Sequence, residues 1–191
     1  MANEFYALMG RMRYITRWGL MRNTFSENIS EHSHQVAVLA HALALIRQKI
    51  LHLEGPDPDR CAVAALYHDA SEILTGDLPT PIKYYNPDIK LAYKKVERIA
   101  GNRLLDMLPQ ELRESYELLI LEDEAEVGPI VKAADKLAAH IKCLEEQKAG
   151  NRDFDTAAKQ TWDAMKAMEM PELNWFLDYC LGAYKLDLDQ L

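Results

Sequence analysis

Apolar residues recur at intervals of three and four along most of this 191-residue chain, whereas strict alternation of apolar and polar residues is nearly absent. Spacings of three and four place side chains on one face of an α-helix. The pattern predicts helices over about 3–15, 29–51, 59–75, 88–107, a short stretch after Pro109, 125–149, 153–168 and 172–184. We therefore expect an all-α helical bundle, formed as a single domain over residues 1–191.

Two of the predicted helix boundaries carry recognisable end signals. Asn28 is followed three residues later by Glu31, a pattern typical of an N-terminal helix cap. Gly76 comes directly after the helix predicted over 59–75, and Pro79 and Pro81 follow it. The second signal predicts a helix end and a stiff turn, because proline restricts its own backbone and that of the residue before it.

The helix predicted over 29–51 has a histidine at the start of its apolar face. From His32, steps of four and three residues lead along one stripe, through Val36, Leu39, Leu43, Ile46 and Ile50. A histidine in such a position is either a core side chain with hydrogen-bonded ring nitrogens or a ligand. The helix alone favours the first interpretation.

The next predicted helix places His68, Asp69 and Glu72 within one and a half turns. On a continuous helix, His68 and Glu72 share a face with Cys61 and Ala65, and Asp69 lies on the neighbouring face with Ala62, Leu66 and Ile73. We expect both faces to point inward. A buried carboxylate is costly unless it is paired, hydrogen-bonded or bound to metal, so this cluster favours a metal site.

Asp135 has a similarly apolar setting, since Val131, Ala134 and Ala138 accompany it at helical spacing. Lys132 or Lys136 could neutralise it within one turn. Alternatively, Asp135 would join His32, His68 and Asp69 in a set of two imidazoles and two carboxylates, which suits a divalent transition ion. Glu72 would then serve in proton transfer.

Composition narrows the classes of function. The net charge of −8 disfavours binding to a nucleic acid polymer, although a local basic pocket can still hold a small anion. The longest stretch without charged side chains, His32 to Ile46, is too short to span a membrane. Three scattered cysteines and an N-terminus unlike a signal peptide lead us to expect a cytoplasmic location.

The order His32, His68-Asp69, Asp135 resembles that of the HD-domain metal phosphohydrolases. Longer strings resemble the bacterial YfbR-type 5′-deoxynucleotidases: RYITRW at 13–18, ENISEHS at 27–33, YHDASE at 67–72, LTGDLPTP at 74–81, VKAAD at 131–135 and CLEE at 143–146. The resemblance covers roughly the first 150 residues.

The resemblance implies a phosphoric monoester hydrolase that converts deoxyribonucleoside 5′-monophosphates to deoxynucleosides and phosphate. It implies one divalent cation bound by His32, His68, Asp69 and Asp135; cobalt, manganese or copper would be favoured, and zinc, iron, nickel or magnesium would be compatible. It also implies a homodimer.

The same resemblance assigns roles around the metal. Glu72 would be the acid or base, Arg17 would orient the phosphate, and Asp69 would also take part in catalysis and contact the substrate. Trp18 would press on the sugar and disfavour a 2′-hydroxyl group. The nucleoside would be lined by Asp77, Leu78, Pro79 and Thr80.

Other interpretations stay open at the level of sequence. An HD site could act on a nucleoside triphosphate or a phosphodiester, and a helical module without activity could serve as a nucleotide sensor. Arg17 taken alone reads as a surface charge and Trp18 as a core aromatic, and the segment from Gly76 to Pro81 reads as a stiff turn.

Overall fold

The computed structural model describes residues 4–83, 86–121 and 125–190, and of Thr80 the backbone alone. Within these ranges the secondary structure is helical, and the one extended pairing is a single bridge between Thr16 and Asn28. The α-helices are α1 (Phe5–Met9), α2 (Ile29–Leu45), α3 (Pro58–Tyr67), α4 (Glu72–Thr75), α5 (Thr80–Lys83), α6 (Pro87–Asp106), α7 (Gln110–Leu121), α8 (Val127–Lys148), α9 (Asp155–Lys166) and α10 (Pro171–Tyr179). None of them is long and apolar enough to cross a membrane.

The prediction of one helix over 59–75 is wrong. Helix α3 ends at Tyr67, residues 68–71 form a turn, and the chain resumes helical geometry in α4. Ring atom Nδ1 of His68 lies 2.7 Å from the carbonyl oxygen of Ala65, which in a continuous α-helix would accept from the amide of Asp69. The amides of Ala70 and Glu72 instead bond three residues back, which tightens the turn.

The other differences between the predicted and the observed helices are smaller. The helix predicted over 3–15 is α1 followed by a 3₁₀ segment, Gly10–Tyr14, and the one over 29–51 is α2 followed by a π-helical turn, Ile46–Ile50. The one over 172–184 divides into α10 and a 3₁₀ segment, Leu181–Lys185. Helix α5 was not predicted, because four residues are too few to show a period.

Helices α2, α3 and α8 pack against one another and form the main core. The stripe predicted on α2 is buried from His32 to Ile46, while Ile50 is 45% exposed. Both helices contribute small buried side chains to this core; these are Ala37, Ala40 and Ala44 on α2 and Ala133, Ala134 and Ala138 on α8. His32 on α2 and Asp135 on α8 face each other where the two helices pack.

The start of α2 is fixed by the predicted cap. The Asn28 side chain accepts hydrogen bonds from the amides of Ser30 and Glu31, and the Glu31 carboxylate accepts from the Asn28 amide. Residues before the cap pair with the N-terminal segment, since the Arg17 amide donates to the Glu27 carbonyl at 2.9 Å. This pairing brings Arg17 to the end of α2 that carries His32.

A buried ion pair anchors the loop that follows Arg17. Lys142 and Glu146 on α8 are both almost fully buried, and Lys142 Nζ donates to Glu146 and, at 2.8 Å, to the Phe25 carbonyl. Glu146 also accepts from the Thr24 amide at 2.9 Å and from Asn151 at 2.7 Å. Burial alone would raise the pKa of Glu146, but these hydrogen bonds outweigh it and lower the pKa to about 2.

We expect Glu146→Gln to lower the free energy of unfolding by about 3 kcal/mol or more, because it leaves the Lys142 ammonium buried without a counter-charge. Since the folded pKa of Glu146 is depressed, its contribution is fully present above the ordinary value of 4.5 and is lost as pH falls toward about 2. Urea unfolding followed by circular dichroism between pH 7 and pH 3 measures both effects.

The double variant Lys142→Met/Glu146→Gln is the matched control, because it removes both charges while an amide oxygen can still accept from Thr24 and Asn151. It should recover most of the lost stability. Equal destabilisation of the single and double variants would contradict the importance of the ion pair.

Candidate active site

Three segments bring four candidate ligands together. His32 lies in the first turn of α2, His68 and Asp69 lie in the turn after α3, and Asp135 lies on α8. His32 Nε2 is 3.1 Å from Asp135 Oδ1 and 3.8 Å from Asp69 Oδ2, and His68 Nε2 is 3.3 Å from Asp69 Oδ2. Single donor atoms of His32, His68 and Asp135 all lie within 4.8 Å of one another.

These separations fit a shared cation. Donor atoms that bind one ion at about 2.1 Å can be at most about 4.2 Å apart. Three of the six pair distances, His32–Asp135, His32–Asp69 and His68–Asp69, are shorter than that limit. Two imidazoles with carboxylates form a set that suits transition ions.

The hydrogen bonding of His68 supports the same interpretation. Because its Nδ1 faces the Ala65 carbonyl, Nδ1 carries the proton and Nε2 carries the lone pair. Nε2 is buried and has no hydrogen-bond partner among the described residues. A histidine held by a backbone carbonyl, with its other nitrogen turned into a donor cluster, is the usual arrangement of a metal ligand.

Charges around His32 and Asp135 favour their metal-binding forms. Burial, followed by the positive charge of Arg17, lowers the pKa of His32, so the ring is neutral near pH 7. For Asp135 burial acts upward, but the hydrogen bond with His32 and the nearby Lys136 hold the pKa well below its usual range. Lys136 Nζ lies 3.0 Å from Asp135 Oδ2, so the predicted pairing with lysine is present beside the cluster.

Asp69 is placed in the cluster by a turn of the chain that its sequence position did not indicate. Its predicted helical face includes Leu66, which is 41% exposed, so the expectation that both faces point inward is wrong. The turn after α3 redirects the chain, and this turn rather than a helical face aims Asp69 at His32 and His68.

Glu72 is buried in the first turn of α4, and its Oε2 has no hydrogen-bond partner among the described residues. Burial, together with the negative charges of Asp69 and Asp77, raises its pKa to about 9, against the opposing charges of Arg17 and Lys83. A cation in the cluster would pull this pKa downward. The carboxyl group is therefore suited to exchanging a proton near neutral pH.

Arg17 connects the loop before α2 to the cluster. Its guanidinium Nη1 donates to Asp69 Oδ2 at 3.2 Å, and its Nε lies 3.1 Å from Glu27 Oε2. The side chain is only 12% exposed, so the interpretation of Arg17 as a surface charge is wrong. Its charge also reaches Asp77, whose pKa burial raises and Arg17 lowers.

Trp18 is half-buried beside Arg17. Its ring lies 5.2 Å from that of Phe154, and its Nε1 donates to Glu27 Oε2 at 2.9 Å. Its backbone has φ of 59°, in the left-handed region that non-glycine residues rarely occupy. Such strain is typical of functional positions whose surroundings hold the chain in place.

The segment after α4 turns at Gly76, whose φ of 74° and ψ of 161° suit glycine. The Gly76 carbonyl accepts from Tyr93 of α6 at 3.0 Å, and Lys83 donates to Glu97 of α6 at 2.7 Å. Asp77, Leu78 and Pro79 are half-buried between these anchors, and the Thr80 side chain lies outside the described residues. Contacts with α6 therefore add to the rigidity expected from the prolines.

Several residues that support the site were not identified from sequence. They are Glu27, Tyr93, Glu97, Lys142, Glu146 and Asn151. The signal available for the pair on α8 was a Lys–Glu spacing of four within a predicted helix. Glu27 and Tyr93 act through contacts between separate segments, which no helical period reveals.

Known protein families and sequences show strong similarity to nearly the whole chain. A family model described as 5′-deoxynucleotidase YfbR-like matches residues 4–184. A 5′-deoxynucleotidase of Vibrio atlanticus is 46% identical over 192 aligned positions, which cover 99% of this chain and 98% of the relative. One from Erwinia tasmaniensis is 48% identical, with 99% and 96% covered.

Solved structures confirm the all-α HD-domain fold. An HD-domain phosphohydrolase from Listeria innocua superposes with a TM-score of 0.81 at 20% identity, covering 97% of this chain and 90% of the other. The HD phosphohydrolase of cyanophage S-2L, bound to dA and one catalytic Zn²⁺ ion, gives 0.66 at 23% identity, with 92% and 95% covered.

We expect Asp135→Ala to weaken divalent-metal binding by more than the roughly 10- to 100-fold that loss of a residue supporting a ligand costs. Calorimetric titration of metal-stripped protein with Mn²⁺, Co²⁺ or Zn²⁺ measures the change. Lys136→Met is the matched control and should leave binding intact. If Asp135→Ala still binds as tightly as wild type, Asp135 serves only to pair with lysine.

Proposed function

The chain belongs to the YfbR-like 5′-deoxynucleotidase family, and we propose that it hydrolyses deoxyribonucleoside 5′-monophosphates at a single divalent cation held by His32, His68, Asp69 and Asp135. The observation that carries this proposal is the contact of Arg17 with Asp69 at 3.2 Å. A buried guanidinium thus stands directly beside the donor cluster. A phosphate dianion placed there meets positive charge on two sides.

The reaction needs charge stabilisation and accurate placement, because a phosphate monoester is a dianion that water attacks slowly. When bound, a divalent cation lowers the pKa of water and polarises a phosphoryl oxygen. Arg17 binds the other phosphoryl oxygens; none of the described residues hydrogen-bonds to its Nη2. Glu72 exchanges the proton with the water nucleophile or with the departing 5′-oxygen.

The sugar and base would lie between two walls. Trp18, supported by Phe154, stands beside Arg17 and is suited to excluding a 2′-hydroxyl group by its rigid bulk. Asp77, Leu78 and Pro79 form the other wall, with the backbone fixed by Gly76 and by the contact with Tyr93. The lining role of Thr80 and assembly as a homodimer stay predictions from the resemblance, and a cytoplasmic location stays a prediction from the cysteines and the N-terminal sequence.

The first test is a substrate panel. Metal-stripped protein is incubated with dAMP, AMP, dATP or 3′-dAMP, single divalent ions are added back, and phosphate release is measured. We expect release from dAMP, little from AMP, and none without metal. Release from dATP in preference to dAMP would favour the alternative of a triphosphate hydrolase, and equal release from dAMP and AMP would remove the role of Trp18.

Glu72→Ala should retain metal and lose turnover by about 10²- to 10⁴-fold, the usual contribution of a positioned acid or base. Metal content is measured by elemental analysis of the same samples. Glu31→Gln, which changes an exposed carboxylate at the start of α2, serves as the control and should keep full activity. Loss of metal from Glu72→Ala would identify Glu72 as a ligand instead.

A further inference from the structure

A single carboxylate oxygen joins the two residues that would bind phosphate and sugar. Glu27 is 8% exposed, and its Oε2 accepts a hydrogen bond from Trp18 Nε1 at 2.9 Å while lying 3.1 Å from Arg17 Nε. The contact with Arg17 is an ion pair without a well-aligned hydrogen bond, because Nε has no hydrogen-bond partner in the part of the chain that the structure describes. Glu27 therefore attracts the guanidinium by charge and holds the indole by a directional bond.

The main chain strengthens this connection. The Arg17 amide donates to the Glu27 carbonyl at 2.9 Å, and the neighbouring pair Thr16 and Asn28 forms the antiparallel bridge. Glu27 thus contacts Arg17 through both its backbone and its side chain. On the opposite side Arg17 is bound to Asp69, so the guanidinium is fixed between Glu27 and the donor cluster.

Trp18 needs external support because its backbone is in the left-handed region. Its carbonyl accepts from the Met21 amide at 2.9 Å and from Asn23 at 3.3 Å. The Lys142–Glu146 pair then holds residues 24 and 25. These bonds fix the backbone of the loop, whereas the bond to Glu27 fixes the polar edge of the ring.

We propose that Glu27 is a positioning residue that couples phosphate binding by Arg17 to the sugar selectivity of Trp18. The inference rests on the proposed function of the site and adds a residue to which that function assigns no role. A shift of Glu27 would move both groups together, so a correctly seated phosphate and a correctly placed indole depend on the same side chain.

Two variants separate the two contacts. Glu27→Ala removes both, and we expect the KM for dAMP to rise about tenfold and the preference for dAMP over AMP to fall about tenfold, as for the loss of a hydrogen bond to a charged group. Glu27→Gln keeps an oxygen that can accept from Trp18 Nε1 but removes the charge beside Arg17. It should restore the preference for dAMP while the KM stays raised.

A second pair of measurements does not depend on turnover. The indole N–H of Trp18 should exchange slowly with solvent in wild type and in Glu27→Gln, and rapidly in Glu27→Ala, as followed by NMR of ¹⁵N-labelled protein. Inorganic phosphate is the probe for Arg17, and its dissociation constant should rise about tenfold in both variants. Glu31→Gln, on the exposed side of the same segment, is the control and should match wild type.

The outcomes distinguish this inference from the proposed function. If wild type releases no phosphate from dAMP, the function fails, and indole exchange and phosphate binding still decide the role of Glu27. If Glu27→Ala stays folded and keeps wild-type KM, selectivity and indole exchange, the inference is overturned. A fall in kcat and stability with unchanged KM and selectivity would also overturn it, because that pattern indicates a structural role only.

Discussion

The packing of α2 against α8 is the constraint on which the candidate active site depends. Both helices contribute buried alanines to the core, and His32 Nε2 on α2 comes within 3.1 Å of Asp135 Oδ1 on α8. The turn after α3 supplies His68 and Asp69 to the same point. Packing of these helices in the core therefore determines where the charged groups meet, because core side chains tolerate little displacement.

Pairing of opposite charges explains how so many ionisable groups can be buried in and near the candidate site. Asp69 contacts Arg17, Asp135 contacts Lys136, and Glu146 is neutralised by Lys142. Glu72 Oε2 has no hydrogen-bond partner within the described ranges, and burial raises the pKa of Glu72 to about 9. Glu72 is thus costly to ionise, whereas Asp69, Asp135 and Glu146 each have a basic partner. A carboxyl group whose pKa is raised in such surroundings is the pattern expected of a catalytic residue.

Much of the fold and the positions of His32 and Asp135 could be predicted from sequence, because they follow from helical periodicity. The stripe from His32 and the apolar setting of Asp135 are properties of single helices, and the structure brings these residues together as expected. The break at His68 was not predictable from period alone, since it depends on a ring nitrogen competing for a backbone carbonyl. The bond between Trp18 and Glu27 depends on a reversal of the chain, which leaves no periodic signal. The family resemblance supplied roles for Arg17 and Trp18 that spacing alone did not.

The left-handed backbone at Trp18 has a consequence for any attempt to stabilise this protein by substitution. Glycine at that position would relieve a conformational cost of about 1 kcal/mol or more, and it would also delete the ring that packs against Phe154 and bonds to Glu27. Stability gained by relaxing the backbone at this position would therefore be offset by loss of the indole contacts with Phe154 and Glu27.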